Sequence, residues 1–460
     1  MMKPKSFDDI QFSSVHRRIM LWGSGGPFLD GYVLVLIGVA LEQLTPVLSL
    51  SSEWIGLLGA ATLAGLFIGT SLFGYICDQV GRRKMFLIDI VAIGAISVAT
   101  MFVSTPMELL IMRFLIGIVI GADYPIATSM ITEFSNTKQR AFAVGFIAAM
   151  WYVGATCANL VGYMLYDVED GWRWMLGSSV IPCIIILIGR FDLPESPLWL
   201  IRKGRIKECE KMMEKLFGQP VIFEAEEQQK THFLQLFTKR HFSFVLFTAI
   251  IWTCQVIPMF AIYTFGPQIV GQLGWDQGKN AALGNVVISL FFMLGCLPAM
   301  YWLNKMGRRP LLIGSFALMT FALAILGFFS NLGICLVIIM FGIYAFFSGG
   351  PGILQWLYPN ELFPTDIRAS AVGVIMSISR IGTIFSTWAL PLFITKYGVS
   401  SVVLMGAGVS LIGLIVSILF APETKGLTLA QTSVMGIRHK KKQKKQKKQK
   451  KQKKQKKLLR

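Results

Sequence analysis

The chain alternates long apolar runs with short polar turns. The runs fall near residues 20–45, 54–77, 85–104, 107–128, 141–163, 174–192, 242–267, 281–303, 310–329, 332–354, 369–395 and 399–421. Each is about 20 residues or longer, the length at which a helix crosses the roughly 30 Å hydrocarbon core of a bilayer. In lipid every backbone N–H and C=O must find its partner within the segment, so runs of this kind predict helices. The pattern therefore predicts an all-α membrane protein with twelve transmembrane helices. A single polar stretch, 193–240, is long enough to separate domains. It leaves a six-helix bundle over 1–192, a central loop over 193–240, a second six-helix bundle over 241–423 and a tail over 424–460. Within the loop, Glu208, Glu210, Lys211, Glu214 and Lys215 interleave with Met212, Met213, Leu216 and Phe217, the pattern of a short amphipathic helix lying on a membrane face.

The polar turns repeat. Gly74-Tyr75-Ile76-Cys77-Asp78-Gln79-Val80-Gly81-Arg82-Arg83-Lys84 stands between the second and third runs, and Asn304-Lys305-Met306-Gly307-Arg308-Arg309-Pro310 between the eighth and ninth. Glu133 to Arg140 returns as Glu361 to Arg368, and Pro194-Glu195 as Pro422-Glu423, at nearly the same offset. Self-similarity near half the chain length predicts two homologous, pseudo-symmetric halves, a period too long for a solenoid. Duplicated halves of apolar helices are the build of secondary transporters. Glycine lets two helices reverse within a few residues, and guanidinium groups at a membrane surface bind carboxylates or helix C-termini. Asp78, Gly81, Arg82 and Arg83, with Gly307, Arg308 and Arg309, are thus candidates for a gate; an ordinary topogenic basic loop is the alternative.

Composition agrees with lipid as the solvent: 54% of residues are hydrophobic, 15% charged, and the mean hydropathy is +0.60. The first run holds Asp30 and lacks a small-residue cleavage site, so it reads as a retained helix and not a signal peptide. A formal charge of +19 would suggest nucleic acid in a soluble protein, yet residues 440–457 are only Lys and Gln, a low-complexity tail that suits solvent or anionic headgroups; no nucleic-acid partner is expected. Basic residues gather before the first run, after the second, fourth and eighth, and in the central loop, which places both termini and that loop in the cytoplasm. The seven cysteines show no metal spacing and read as packing residues; neither metal nor cofactor is called for.

The pattern Gly74-x-x-x-Asp78-x-x-Gly81-Arg82-Arg83, together with Pro194-Glu195-Ser196-Pro197, Trp356-Leu357-Tyr358-Pro359-Asn360-Glu361-Leu362-Phe363-Pro364 and Pro422-Glu423-Thr424-Lys425-Gly426, resembles the signatures of the sugar-porter branch of the major facilitator superfamily. The blocks Phe28-Leu29-Asp30-Gly31-Tyr32 and Ile120-Gly121-Ala122-Asp123-Tyr124-Pro125 narrow the likeness to enterobacterial inner-membrane metabolite transporters. The resemblance covers residues 6 to about 438. It implies substrate bound between the bundles and alternating access driven by protons. It implies that Arg82 or Arg83 forms one cytoplasmic charge cluster with Glu133 and Arg140, that Arg308 or Arg309 forms its mirror with Glu361 and Arg368, and that both clusters break when the protein opens inward; Glu195 and Glu423 are counted with the same cytoplasmic gate.

Asp30 and Arg113 lie well inside predicted spans, where charges pair or line a cavity, and they match a first-helix carboxylate facing a fourth-helix arginine in proton-coupled sugar porters. Separating them would let Asp30 take a proton; a static ion pair is the alternative. Asp123 resembles the aspartate of proton-coupled phosphate carriers and is a second proton or substrate candidate, or else a local hydrogen-bond acceptor. Asp89 and Arg380 are further intramembrane charges with no evident partner.

The departures from the sugar pattern are informative. Ala148 and Ala155 stand where sugar porters carry glutamines, and Cys254-Gln255-Val256-Ile257-Pro258-Met259-Phe260 keeps only one glutamine of its motif. A site selects for hydroxyls through polar groups it would otherwise leave unpaired, so a hexose loses ground. Trp151, Tyr152, Gln255 and Tyr263, with Asn285, Gln355 and Trp356, are the candidate pocket; with Arg113 nearby it suits a small carboxylate or an aromatic metabolite as well as a sugar. The expected protein is a monomeric proton symporter of a small polar metabolite in the bacterial inner membrane; a proton-driven efflux antiporter and a non-transporting sensor are the alternatives. An enzyme is disfavoured, because His16, His232, His241 and His439 all fall outside the predicted spans and no nucleophile–base pair stands out.

Overall fold

The computed structural model describes residues 5–6, 13–135, 140–218, 221–222, 236–273, 278–329, 333–363 and 365–425, with some side chains inside these ranges left out; the Lys/Gln tail lies outside them. In the first half the helices are α1 (Ser14–Gly23), α2 (Gly25–Val47), α3 (Ser52–Val80), α4 (Arg82–Thr100), α5 (Pro106–Glu133), α6 (Arg140–Met164), α7 (Gly171–Gly177) and α8 (Val180–Arg190). The central loop holds α9 (Pro197–Arg202) and α10 (Ile206–Phe217). In the second half they are α11 (Lys239–Gln272), α12 (Lys279–Met306), α13 (Arg308–Phe328), α14 (Ile334–Leu362) and α15 (Thr365–Phe420). Two-residue strands β1 (Lys5–Ser6) and β2 (Val221–Ile222) pair in parallel.

Ten helices among the described residues are long and apolar enough to cross a membrane. Two adjustments bring the crossings to twelve. The chain reverses at Gly398, whose φ of 78° interrupts α15, so this 56-residue element is two crossings. The charged residues Arg82, Arg83, Lys84 and Asp89 lower the hydropathy of α4, yet its 19 residues pack as a crossing between α5 and α8. The first crossing is α1 and α2 together and the sixth is α7 and α8 together. His16 and His241 sit near the starts of α1 and α11, inside elements the apolar runs placed them just outside.

Local chemistry sets several ends. Thr105 and Glu108 form a capping box at the start of α5, with Pro106 at the first helical position where its missing N–H costs nothing. Phe265 leaves helical geometry in α11 two residues before Pro267, whose ring disfavours a helical approach. Large apolar side chains such as Ile88, Ile188, Leu297 and Phe385 stay more than half exposed on helix faces, as lipid-facing residues do.

One crossing positions the interior chemistry. A methyl on Gly31 of α2 would strike the Trp151 carbonyl of α6, and one on Gly154 of α6 would strike the Phe28 carbonyl of α2. The two helices therefore meet backbone to backbone, as small residues allow in membranes. The halves join through α3 against α15, α6 against α12 and α2 against α11. In the loop, α10 buries Cys209 and Met213 against Trp199 and Leu200 of α9, and burial pushes the Cys209 thiol above its ordinary pKa, which suits a packing residue.

Candidate functional site

We call the end of the bundle that carries Gly81 and Gly307 the basic end, and the opposite end the far end. At the basic end two near-identical constructions stand side by side. Gly81 (φ 104°) and Gly307 (φ 99°) hold a backbone that only glycine takes readily, and a methyl on either would strike the carboxylate of Glu195 or Glu423. Those carboxylates cap the next helix: Glu195 Oε1 accepts from Arg82 N at 3.0 Å and Arg83 N at 3.2 Å, and Glu423 accepts from Arg308 N and Arg309 N, both at 3.1 Å. A negative charge on free helix N–H groups is favourable twice over, by hydrogen bonding and by the helix dipole. Arg82 pairs with Glu133, which also accepts from Ser196; Arg308 pairs with Glu361 at 2.7 Å, which also accepts from Thr424. Arg83 donates to the Phe191 carbonyl at 2.8 Å and Arg309 to the Ile418 carbonyl at 2.9 Å, each just at or past the last turn of the helix before the motif glutamate. The side chains of Asp78, Arg140 and Arg368 lie outside the described residues.

Every one of these bonds closes within one half. They hold each cluster together inside its own half; whether the clusters break when the basic end opens is a matter for a second conformation. Among the described residues, hydrogen bonds between the halves run from mid-depth to the far end. Asn159 donates to Ser289 Oγ at 2.6 Å and accepts from Asn285 at 3.0 Å, Ser52 meets Thr395 at 3.0 Å, and Lys279 binds Asp167. These bonds seal the halves together toward the far end.

On the basic-end side of that seal lies a narrow cleft between the halves. Trp151, Tyr152, Gln355 and Trp356 line it, as the sequence suggested. Gln255, Tyr263 and Asn285 do not. Gln255 is buried, bonded to Ser348 Oγ at 3.1 Å; Tyr263 stacks on Phe292 at 4.8 Å; and Asn285 belongs to the seal. Trp252 and Phe260 are walls that the pattern of polar positions did not single out, and Arg380, noted there only as an intramembrane charge with no evident partner, is a third. Arg380 is 5% exposed, lies 5.6 Å from the Phe260 ring, and its Nε and Nη1 have no hydrogen-bond partner among the described residues.

The interior charges of the first half are arranged differently from expectation. Asp30, 1% exposed, accepts from Trp151 Nε1 at 2.5 Å, a contact delivered by the close α2–α6 crossing. Arg113 Nη1 donates to the Val33 carbonyl at 3.0 Å, one turn along α2 from Asp30, and its Nε and Nη2 have no partner among the described residues. Asp30 thus meets an indole donor and Arg113 a backbone acceptor, one helical turn apart on α2. Trp151 in turn packs edge-on against Phe260 and Tyr263 of the other half, at 5.9 and 5.4 Å.

Asp123 does not reach the cleft. It binds Arg190 at 2.7 Å, and Asp89 approaches the same guanidinium at 3.7 Å, all three fully buried. Arg190 also donates to the Trp22 carbonyl at 3.0 Å, where α1 gives way to α2, and lies 3.9 Å over Phe86. Two carboxylates around one guanidinium leave one formal negative charge in excess. Arg190 ends its apolar run like any flanking arginine; only the two carboxylates lacking partners hinted at it.

The family described as Sugar (and other) transporter matches residues 20–435. The YaaU protein of Escherichia coli (strain K12) is 77% identical over 438 residues, spanning 95% of this chain and 99% of that one. The inner membrane metabolite transport protein YgcS of the same organism is 33% identical over 436 residues, spanning 94% and 97%. Among solved structures, the xylose transporter XylE from E. coli in a partially occluded inward open conformation superposes with a TM-score of 0.76 at 23% identity, covering 90% of this chain and 100% of that one. The match runs through both halves and both glycine–arginine turns, and the chain belongs to the Sugar (and other) transporter family, with the fold of the major facilitator superfamily.

Proposed function

We propose that this protein is a proton-coupled symporter that carries a small metabolite across the bacterial inner membrane as a single chain, with the basic end in the cytoplasm. The gathering of basic residues at that end supports the orientation. In it, the structure is the inward-facing member of an alternating-access cycle: sealed at the far, periplasmic end and open at the basic one. The observation that carries the reading is the double role of Trp151, which donates to Asp30 and is also a wall of the cleft.

The steps follow from that link. An ionised Asp30 holds the Trp151 indole through a charge-assisted bond, the stronger kind. A proton arriving on Asp30 weakens that bond and frees the ring, which packs on Phe260 and Tyr263 of the other half. Proton and substrate thus act on one aromatic plate between the halves, and each selects the conformation the other favours. Arg113, anchored one turn away at Val33, supplies the positive field that keeps the empty site charged.

The test is uptake into proteoliposomes under an imposed proton gradient, followed with a panel of sugars and aryl carboxylates. Asp30→Asn is expected to lose gradient-driven accumulation while still exchanging substrate across the membrane. Gradient-driven accumulation equal to that of the unaltered protein would overturn the assignment.

A further inference from the structure

We propose that the cleft takes a small organic anion, a carboxylate on a planar apolar body, with Arg380 of α15 as its anchor. This deepens the transport reading and rests on it. Arg380 is the charged wall of the cleft, and among the described residues neither a carboxylate nor a hydrogen-bond acceptor meets its Nε or Nη1. A guanidinium held at 5% exposure in a membrane protein without a counter-charge is costly, and the usual resolution is a partner or a cavity that admits one. Here the cavity is present. Arg113, the other buried arginine lacking partners at two nitrogens, is not among the cleft's walls and is tied to Val33. Asp30 is not among them either and is bonded to Trp151.

The remaining walls describe the rest of the ligand. Trp151, Trp252, Trp356 and Phe260 give flat apolar faces, with Trp252 and Trp356 edge to face at 4.9 Å. Such rings accept a planar body by stacking. Gln355, whose Oε1 has no hydrogen-bond partner among the described residues, offers an acceptor to a hydroxyl or N–H on that body. A hexose fits this set poorly. It would leave the guanidinium without a counter-charge and find few groups for its ring of hydroxyls, whereas a carboxylate meets the planar fork of arginine with two parallel bonds.

The charge moved per cycle is a second readout. One proton carried with one monocarboxylate moves no net charge, whereas one proton carried with a sugar moves one positive charge.

The experiment is equilibrium binding to the purified full chain in detergent with no gradient, read by thermal shift. The probes are benzoate, para-hydroxybenzoate and phenylacetate, the amide of each, and D-glucose and D-xylose. At least one carboxylate is expected to raise the melting temperature where its amide and both sugars do not. Arg380→Gln is expected to weaken that carboxylate by about tenfold or more, and Arg380→Lys, which keeps the charge but loses the fork, by less. Amides or sugars that bind as well as every acid would overturn the proposal, as would an Arg380→Gln protein that binds the acid unchanged. Should that variant fail to fold, the acid-against-amide comparison on the unaltered protein decides alone. Failure of proton coupling appears separately, in Asp30→Asn transport, and leaves this binding series untouched.

Discussion

The two halves of the molecule are near copies at one end and unlike in the middle. At the basic end each motif element finds its counterpart: Gly81 and Gly307, Glu195 and Glu423, Arg82–Glu133 and Arg308–Glu361, Arg83 on Phe191 and Arg309 on Ile418. In the interior the first half buries Asp30, Asp89, Arg113, Asp123 and Arg190, while among the described residues of the second half Arg380 is the charge buried to this degree. The repeated features are those that any pair of antiparallel helices needs in order to turn and stay packed. The unrepeated features are those that chemistry needs only once. Duplication has kept the frame in both halves and left the buried interior charges unequally divided between them.

The largest expected effect tests the interior asymmetry. Arg190→Leu leaves Asp89 and Asp123 buried with no cation, a change that costs about 3–5 kcal/mol of stability when a buried pair loses one partner. Thermal melting in detergent checks it, and adding Asp123→Asn should recover some of the loss. An Arg190→Leu protein that melts unchanged would mean the cluster is not buried as described.

The symmetry of the frame predicts equal losses next. Gly81→Ala and Gly307→Ala each force a side chain into a backbone region that costs about 1–3 kcal/mol and drive a methyl toward the capping carboxylate. Melting of the two variants should agree to within about 0.5 kcal/mol, the spread typical of independent sites. A clear difference between them would show that the two turns are not equivalent.

Trp151→Phe sharpens the link between proton and cleft. The ring remains as a wall while the donor to Asp30 is lost, so binding without a gradient should change by less than about threefold and gradient-driven uptake should fall about tenfold, the scale of a hydrogen bond to a charged group. Equal losses in both measurements would reduce Trp151 to a packing residue. The smallest effect belongs to the exposed Arg18–Asp192 pair outside both the frame and the interior: Arg18→Ala should change stability by no more than about 1 kcal/mol.

Much of this was legible in the sequence, and what was not has a physical reason. Helical crossings follow from run length alone, and the frame follows from short motifs whose contacts are local to one half. Asp30, Trp151 and Trp356 were visible as an intramembrane charge and as aromatics on plausible faces. Gln255, Tyr263 and Asn285 stand apart from the walls of the cleft, engaged with Ser348, Phe292 and Asn159, and periodicity does not report such cross-helix contacts. Arg190 was hidden at the end of an apolar run. Pairing across helices far apart in sequence is a property of packing, and a single sequence shows the charges but not their company.

The account turns on Asp30 and the cleft being linked through Trp151. The most direct measurement is the number of protons taken up per ligand bound, read with a pH indicator in weakly buffered detergent solution as an aryl carboxylate is added to the purified protein. The account predicts uptake approaching about one proton per ligand in the unaltered protein and none in an Asp30→Asn variant that still binds. Equal proton uptake by both proteins would contradict it.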